Sequence, residues 1–234
     1  MYLEKDFIYE KPERWNFNTS APIFFTADTH FYDTYAFRLS KRPFASVSDM
    51  NDALIENWNR VVPKDGIVFH LGDFCAGGKS GWKNAVEALN GKIYLILGNH
   101  DYTQIRAGYK NLFEEVSQQK YVRIHGQPIL MNHYPFLCYE HEHQNTWQLF
   151  GHVHSGANMV HGFDIPRLNI LFPLQYDVGV DNNDYTPVSF ELVKDRIFRQ
   201  QQLHKNKPRD AVTGYSGDGR MEIDAAERLG RTRR

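Results

Sequence analysis

Asp28-x-His30, Gly72-Asp73, Gly98-Asn99-His100-Asp101, Asn132-His133 and Gly151-His152-x-His154 concentrate carboxylates, imidazoles and a side-chain amide carbonyl in short polar stretches. That donor mixture suits divalent first-row ions of intermediate hardness, Mn2+, Fe2+ or Zn2+. It is too rich in nitrogen for a dedicated Ca2+ or Mg2+ cage. Asp28, His30, Asp73, Asn99, His133, His152 and His154 are more ligands than one tetrahedral ion takes. Two ions sharing a bridging carboxylate use them economically. Such a pair sits about 3.5–4 Å apart and clamps the attacking and leaving oxygens of a phosphoryl displacement.

Taken singly, each stretch has an ordinary explanation. Asp-x-His after a strand is commonly a solvated turn, and Gly, Asn and Asp are common turn residues. Gly-His-x-His is stronger, because alternate residues of an extended segment point to the same side. All of them together, each closing a strand, argue for one metal site.

The elements that place them alternate. Short apolar runs at 22–27, 67–71 and 93–97 read as buried strands. Between them lie amphipathic helices. Met50, Leu54, Trp58 and Val61 mark one, with Ser48 as N-cap and Pro63 at its end. Trp82, Val86 and Leu89 mark the next, ended by Asn90-Gly91. Residues 31–47 read as a loop, and Gly77–Gly81 as a glycine-rich loop that lacks P-loop spacing. A short helix is expected over 103–111. Strand–helix alternation with a polar turn after each strand predicts an α/β layered fold, whose ligand edge lies at the strand carboxyl ends. The second half reads as β-rich, with strands at 113–125 and 128–133 joined at Gly126-Gln127, then 147–150, 168–180 and 187–193. Residues 1–204 are expected to form one domain with its motif-bearing core at about 22–193, followed by a polar, flexible tail over 205–234.

The 234 residues are 41% hydrophobic, enough for a large core. With 27 Lys and Arg against 28 Asp and Glu, the net charge gives no electrostatic case for long nucleic acid or a membrane surface. Only 2 cysteines, Cys75 and Cys138, and an acidic N-terminus where a signal peptide is basic, suit the cytoplasm.

The ordered motifs resemble those of the calcineurin-like metallophosphoesterase superfamily, from about residue 23 to about residue 192. The surroundings, Arg42-Pro43-Phe44, Gly72-Asp73-Phe74 and Val178-Gly179-Val180-Asp181 through Pro187-Val188-Ser189, are similar to a small bacterial and phage branch of predicted phosphoesterases. The resemblance implies a four-layer α/β/β/α sandwich of two mixed sheets flanked by helices. It implies that Asp28, His30 and His154 hold one metal, that Asn99, His133 and His152 hold the second, and that Asp73 bridges both. A water deprotonated between the two cations then attacks phosphorus in line, and His100 protonates the leaving oxygen. Asp101 orients or charges His100.

Arg38 and Arg42 lie in the loop after the first motif and are candidates for contacting a substrate phosphate, or else are solvated loop cations. His70 reads as a satisfied core histidine, and His141 and His143 as a solvated loop. Asp177 and Asp181 either brace the site or simply close a strand. The substrate is a small phosphorylated compound, with a nucleotide plausible because aromatics accompany the basic residues of 31–47. The competing class is a non-catalytic binding module on the same fold. Every motif position is filled, including His100, which a binding module does not need.

Overall fold

The computed structural model describes residues 15–155, 171 and 173–205. Its strands, in chain order, are β1 (Trp15–Phe17), β2 (Ile23–Thr26), β3 (Ile67–His70), β4 (Lys92–Ile96), β5 (Glu115–Ser117), β6 (Gln119–Ile124), β7 (Gln127–Asn132), β8 (Trp147–Phe150), β9 (Gln175–Asp177) and β10 (Val188–Ser189). The helices are α1 (Thr34–Leu39), α2 (Val47–Val61), α3 (Gly78–Ala88), α4 (Tyr102–Arg106) and α5 (Phe190–Lys205).

The strands form two 5-stranded sheets, ordered β10-β2-β3-β4-β5 and β1-β6-β7-β8-β9. Both are mixed: β10 runs antiparallel to β2 and β6 to β7, while the remaining neighbours are parallel. The side-chain period of two sorts the apolar residues into two cores. Ile23, Phe25, Ile67, Phe69, Leu71 and Ile96 face the other sheet and meet Val122, Ile129, Met131 and Leu149. The opposite-facing Phe24, Val68, Ile93 and Leu95 pack under Met50, Leu54 and Trp58 of α2 and Trp82 and Ala85 of α3. Strands buried on both faces explain why the sequence shows continuous apolar runs there rather than alternation. The result is two facing mixed sheets flanked by helices. The outer face of the second sheet is covered partly by the loop after β7, where Gln148 and Gln175 bond the Tyr134 and Phe136 backbone.

Several expected elements differ. The 31–47 loop contains α1, capped by Asp33, whose side chain accepts the N–H groups of Tyr35 and Ala36. The N-cap of α2 is Ser46, not Ser48. Its hydroxyl accepts the Asp49 amide and donates to the Asp49 carboxylate, an N-cap two residues upstream of the expected one. The glycine-rich stretch at Gly77 is largely the first turn of α3. The helix expected over 103–111 is divided by Gly108, at φ 99°, into α4 and a 3-10 turn over Tyr109–Leu112. The run 113–125 is two strands in different sheets, with the chain crossing at Gln118. The strand expected over 187–193 is only β10, and α5 begins at Phe190. Phe190, Val193 and Ile197 of α5 enter the inter-sheet core. Most of the tail expected over 205–234 lies outside the described residues, as do residues 1–14. No helix among the described residues is long and apolar enough to cross a membrane.

Candidate metal centre

Parallel pairing of β2, β3 and β4 brings their carboxyl ends to one edge, and the turns beyond them stay knitted. Leu71 N–H donates to Thr26 O, Asp28 N–H to Gly72 O, and His30 N–H to Asp73 O. The ends of β7 and β8 arrive from the other sheet, joined by Gly151 N–H donating to His133 O. The His152 amide then donates to the Asp28 carboxylate, at 2.9 Å to Oδ2. Both sheets therefore deliver candidate ligands to one place.

Two trios result. Asp28, His30 and His154 bring one donor atom each within 4.8 Å of one another, and so do Asp73, His133 and His152. Asn99 joins the second, with Oδ1 at 3.1 Å from His133 Nε2. Asp73 Oδ2 lies between the trios, 3.5 Å from His30 Nε2 and 3.4 Å from His133 Nε2.

The backbone at these positions is unusual. Asp28, His30, Asp73, His152 and His154 have φ of 58°, 48°, 57°, 72° and 46°. A non-glycine residue in the left-handed region is strained by about 1–2 kcal/mol, and such strain gathers at functional sites. It also corrects the reading of Gly-His-x-His as an extended segment whose alternate residues point to the same side. The segment turns at each histidine, sending His152 to one trio and His154 to the other.

The imidazoles are held in defined orientations. His133 Nδ1–H donates to Leu71 O at 2.7 Å, which leaves Nε2 facing Asn99 Oδ1 and Asp73 Oδ2. His30 Nδ1 pairs with Asp33 Oδ2 at 3.0 Å, and its buried Nε2 has no hydrogen-bond partner. His154 Nδ1 pairs with Asp181 Oδ2 at 2.7 Å and meets Ser40 Oγ at 3.3 Å. Carboxylate and amide oxygens gathered around these rings, beside the orphaned buried His30 nitrogen, fit a site built for cations, and partners on the far ring nitrogen are what metal-ligating histidines have. The charges agree. Burial raises Asp28 to about 7. Burial lowers His30 to about 4 and His152 to about 4. For His133 burial acts downward, but the Asp73 hydrogen bond and the charges of Asp28 and Asp73 push it up to about 9. Asp73 is held low because these histidines outweigh its burial.

The remaining expectations fare differently. His100 is half exposed, with Nε2 4.0 Å from Asp73 Oδ2. Asp101 is fully buried and does not serve His100: its carboxylate accepts the N–H groups of Gly98, Asp73 and Phe74 at 2.8–2.9 Å. Arg42 is neither a phosphate ligand nor a solvated cation. It is buried, and its N–H groups go to Asp28 O, Thr29 O, Met50 Sδ and both oxygens of Asp181. Arg38 sits exposed in the last turn of α1, and no hydrogen bond joins its side chain to the trios among the described residues. His70 is a satisfied core histidine, bonded to Thr29 Oγ1 and the Gly72 amide. His141 precedes a 3-10 turn over Glu142–Gln144 and His143 lies within it, and they pair with Glu140 and Glu142. Asp33, Ser40 and Tyr134 were not signalled. The Tyr134 ring packs 4.6 Å from His152 and 5.0 Å from His133, partly exposed at the mouth of the site.

The family model described as calcineurin-like phosphoesterase matches residues 21–217. The chain belongs to this family. Among its relatives, the uncharacterized protein MJ1445 of Methanocaldococcus jannaschii is 32% identical over 173 residues, 73% of this chain and 88% of that one. The gene 66 protein of Mycobacterium phage L5 is 29% identical over 160 residues, 56% of this chain and 76% of that one. A solved structure, the protein of unknown function AQ665 from Aquifex aeolicus, superposes with a TM-score of 0.58 at 25% identity, covering 75% of this chain and 98% of that one. As in other calcineurin-like phosphoesterases, divalent cations are the ligands these trios suit.

Proposed function

We propose that the protein is a dinuclear metal-dependent hydrolase of phosphoester bonds. The observation that carries this reading is Asp73 Oδ2, placed within 3.5 Å of a histidine nitrogen from each trio, where a bridging carboxylate belongs. Asp28, His30 and His154 hold one divalent cation, and Asn99, His133 and His152 the other, with Asp73 shared. Two such ions, Mn2+, Fe2+ or Zn2+, supply an acidified water and neutralise charge on the phosphoryl oxygens.

The chain's own groups do the rest. Leu71 O fixes the His133 tautomer, so its Nε2 needs no reorientation. The His100 backbone N–H donates to Asp73 Oδ1 at 2.9 Å, which fixes the main chain under an exposed imidazole. That ring edges the His30 ring, 5.2 Å between centroids, and can bind a phosphoryl oxygen and protonate the leaving oxygen. Tyr134 gives the mouth an aromatic wall, suited to the organic part of a small phosphorylated substrate such as a nucleotide.

A panel of phosphomonoesters, linear and cyclic phosphodiesters and nucleotide pyrophosphates, assayed with Mn2+, Zn2+, Fe2+ and Mg2+, tests this reading. Turnover by wild type with at least one ion, absent in Asp73→Asn, is expected. A panel on which wild type never exceeds the Asp73→Asn blank overturns it.

A further inference from the structure

Arg42 joins parts of the fold that the chain keeps far apart. Nε donates to Asp181 Oδ1 at 3.0 Å and NH2 to Asp181 Oδ2 at 2.9 Å. The same NH2 reaches Asp28 O at 2.5 Å. NH1 reaches Thr29 O at 2.8 Å and Met50 Sδ at 3.5 Å. A guanidinium has five N–H donors, and these contacts occupy them all. Its ring-facing neighbour is Tyr185, 5.9 Å from Cζ to the centroid. The Arg42 side chain is 0% exposed and that of Asp181 5%, so the pair is not a surface ion pair whose worth water removes.

What the pair touches is one trio only. The carbonyls of Asp28 and Thr29 belong to the left-handed turn that carries Asp28 and His30. Asp181 Oδ2 also takes His154 Nδ1, the remaining member. A planar fork thus sets the spacing between the Asp28–His30 turn and the His154 ring. The second trio is held by other contacts: His133 by Leu71 O, Asp73 through its own amide, which donates to the Asp101 carboxylate, and His152 through its amide, which donates to the Asp28 carboxylate and not to the pair.

We propose that Arg42 and Asp181 are positioning residues that assemble the Asp28–His30–His154 metal site and leave the Asp73–His133–His152 site unaffected. The inference rests on the two-cation reading above. Lysine at 42 presents a point charge with three donors and cannot span both carbonyls and both carboxylate oxygens. Loss of a partner that orients a metal ligand lowers affinity roughly 10- to 100-fold.

The test is Mn2+ titration of the chelator-treated full chain, with bound ions counted and the electron paramagnetic resonance signal of coupled pairs recorded. Wild type is expected to bind two ions and show the coupled signal. Arg42→Lys and Asp181→Asn should keep one site at wild-type affinity, lose at least tenfold at the other and lose the coupled signal at stoichiometric Mn2+. Adding His133→Ala to Arg42→Lys should remove the surviving site as well, which assigns it to the second trio. The neutral pair Arg42→Gln with Asp181→Asn carries the test if a lone buried charge prevents folding. Unchanged affinity at both sites, an equal fall at both, or failure of all these variants to fold overturns the proposal. A wild type that binds fewer than two ions overturns the two-cation reading instead.

Discussion

The Asp101 carboxylate accepts the backbone N–H of Asp73 at 2.8 Å. It also takes the amides of Phe74 and Gly98, so it closes the turn carrying Asp73 onto the turn carrying Asn99. Asparagine at 101 would aim an NH2 group at part of this cluster of donors and leave at least one buried amide unpaired. We expect Asp101→Asn to destabilise the fold by about 1–3 kcal/mol and to weaken metal binding, with hydrolysis slowed alike for good and poor leaving groups. Thermal melts and a leaving-group series check it. An unchanged melt with a slowdown confined to poor leaving groups would return Asp101 to the role of partner for His100.

Gly98 matters through proximity rather than through its own dihedrals. A Cβ there would collide with the Asp73 carboxylate and backbone nitrogen. Gly98→Ala should therefore displace the bridging carboxylate. Overpacking of this kind destabilises by about 1–3 kcal/mol, and binding of both ions should fall together. Metal counting on a folded variant checks it, and full occupancy of both sites would contradict the contact.

His100 is the exposed imidazole at the mouth, and its side chain belongs to neither trio. His100→Ala should keep both ions. Hydrolysis should slow by about 10²- to 10⁴-fold, most for poor leaving groups. A leaving-group series on metal-loaded protein checks it, and an equal loss across the series would contradict the acid role.

Metal affinity at the second trio should rise with pH. The His133 imidazole is pushed up to about 9 in the metal-free protein, so below that pH it carries a proton that an incoming cation must displace. Affinity should climb by up to about tenfold per pH unit and level off near pH 9. Titrations with Mn2+ from about pH 6 to about pH 9 check it. A flat profile would contradict the protonated ground state.

The strand-end positions of Asp28, Asp73 and Asn99 were legible because each follows a short continuous apolar run of strand length. Helices α2 and α3 were legible because their apolar stripes face one core. The partners were not legible. Asp181 lies 139 residues from Arg42, and nothing local to Arg42-Pro43-Phe44 announces a buried ion pair. The crossing at Gln118 was hidden because β5 and β6 read as one run, although their pairing partners lie in different sheets. Helix α5 was missed because β10 runs straight into it; the apolar spacing Phe190, Val193, Ile197 was a helical signal that lay partly beyond the expected strand.

On the two-cation reading, Asp73 joins both ions into one hydrolytic site. The most direct measurement is Mn2+ stoichiometry and phosphoester turnover of Asp73→Asn beside wild type. We predict two ions and turnover for wild type, with loss of paired binding and of turnover in a folded Asp73→Asn. A folded Asp73→Asn that still binds two ions and still turns over would contradict the account.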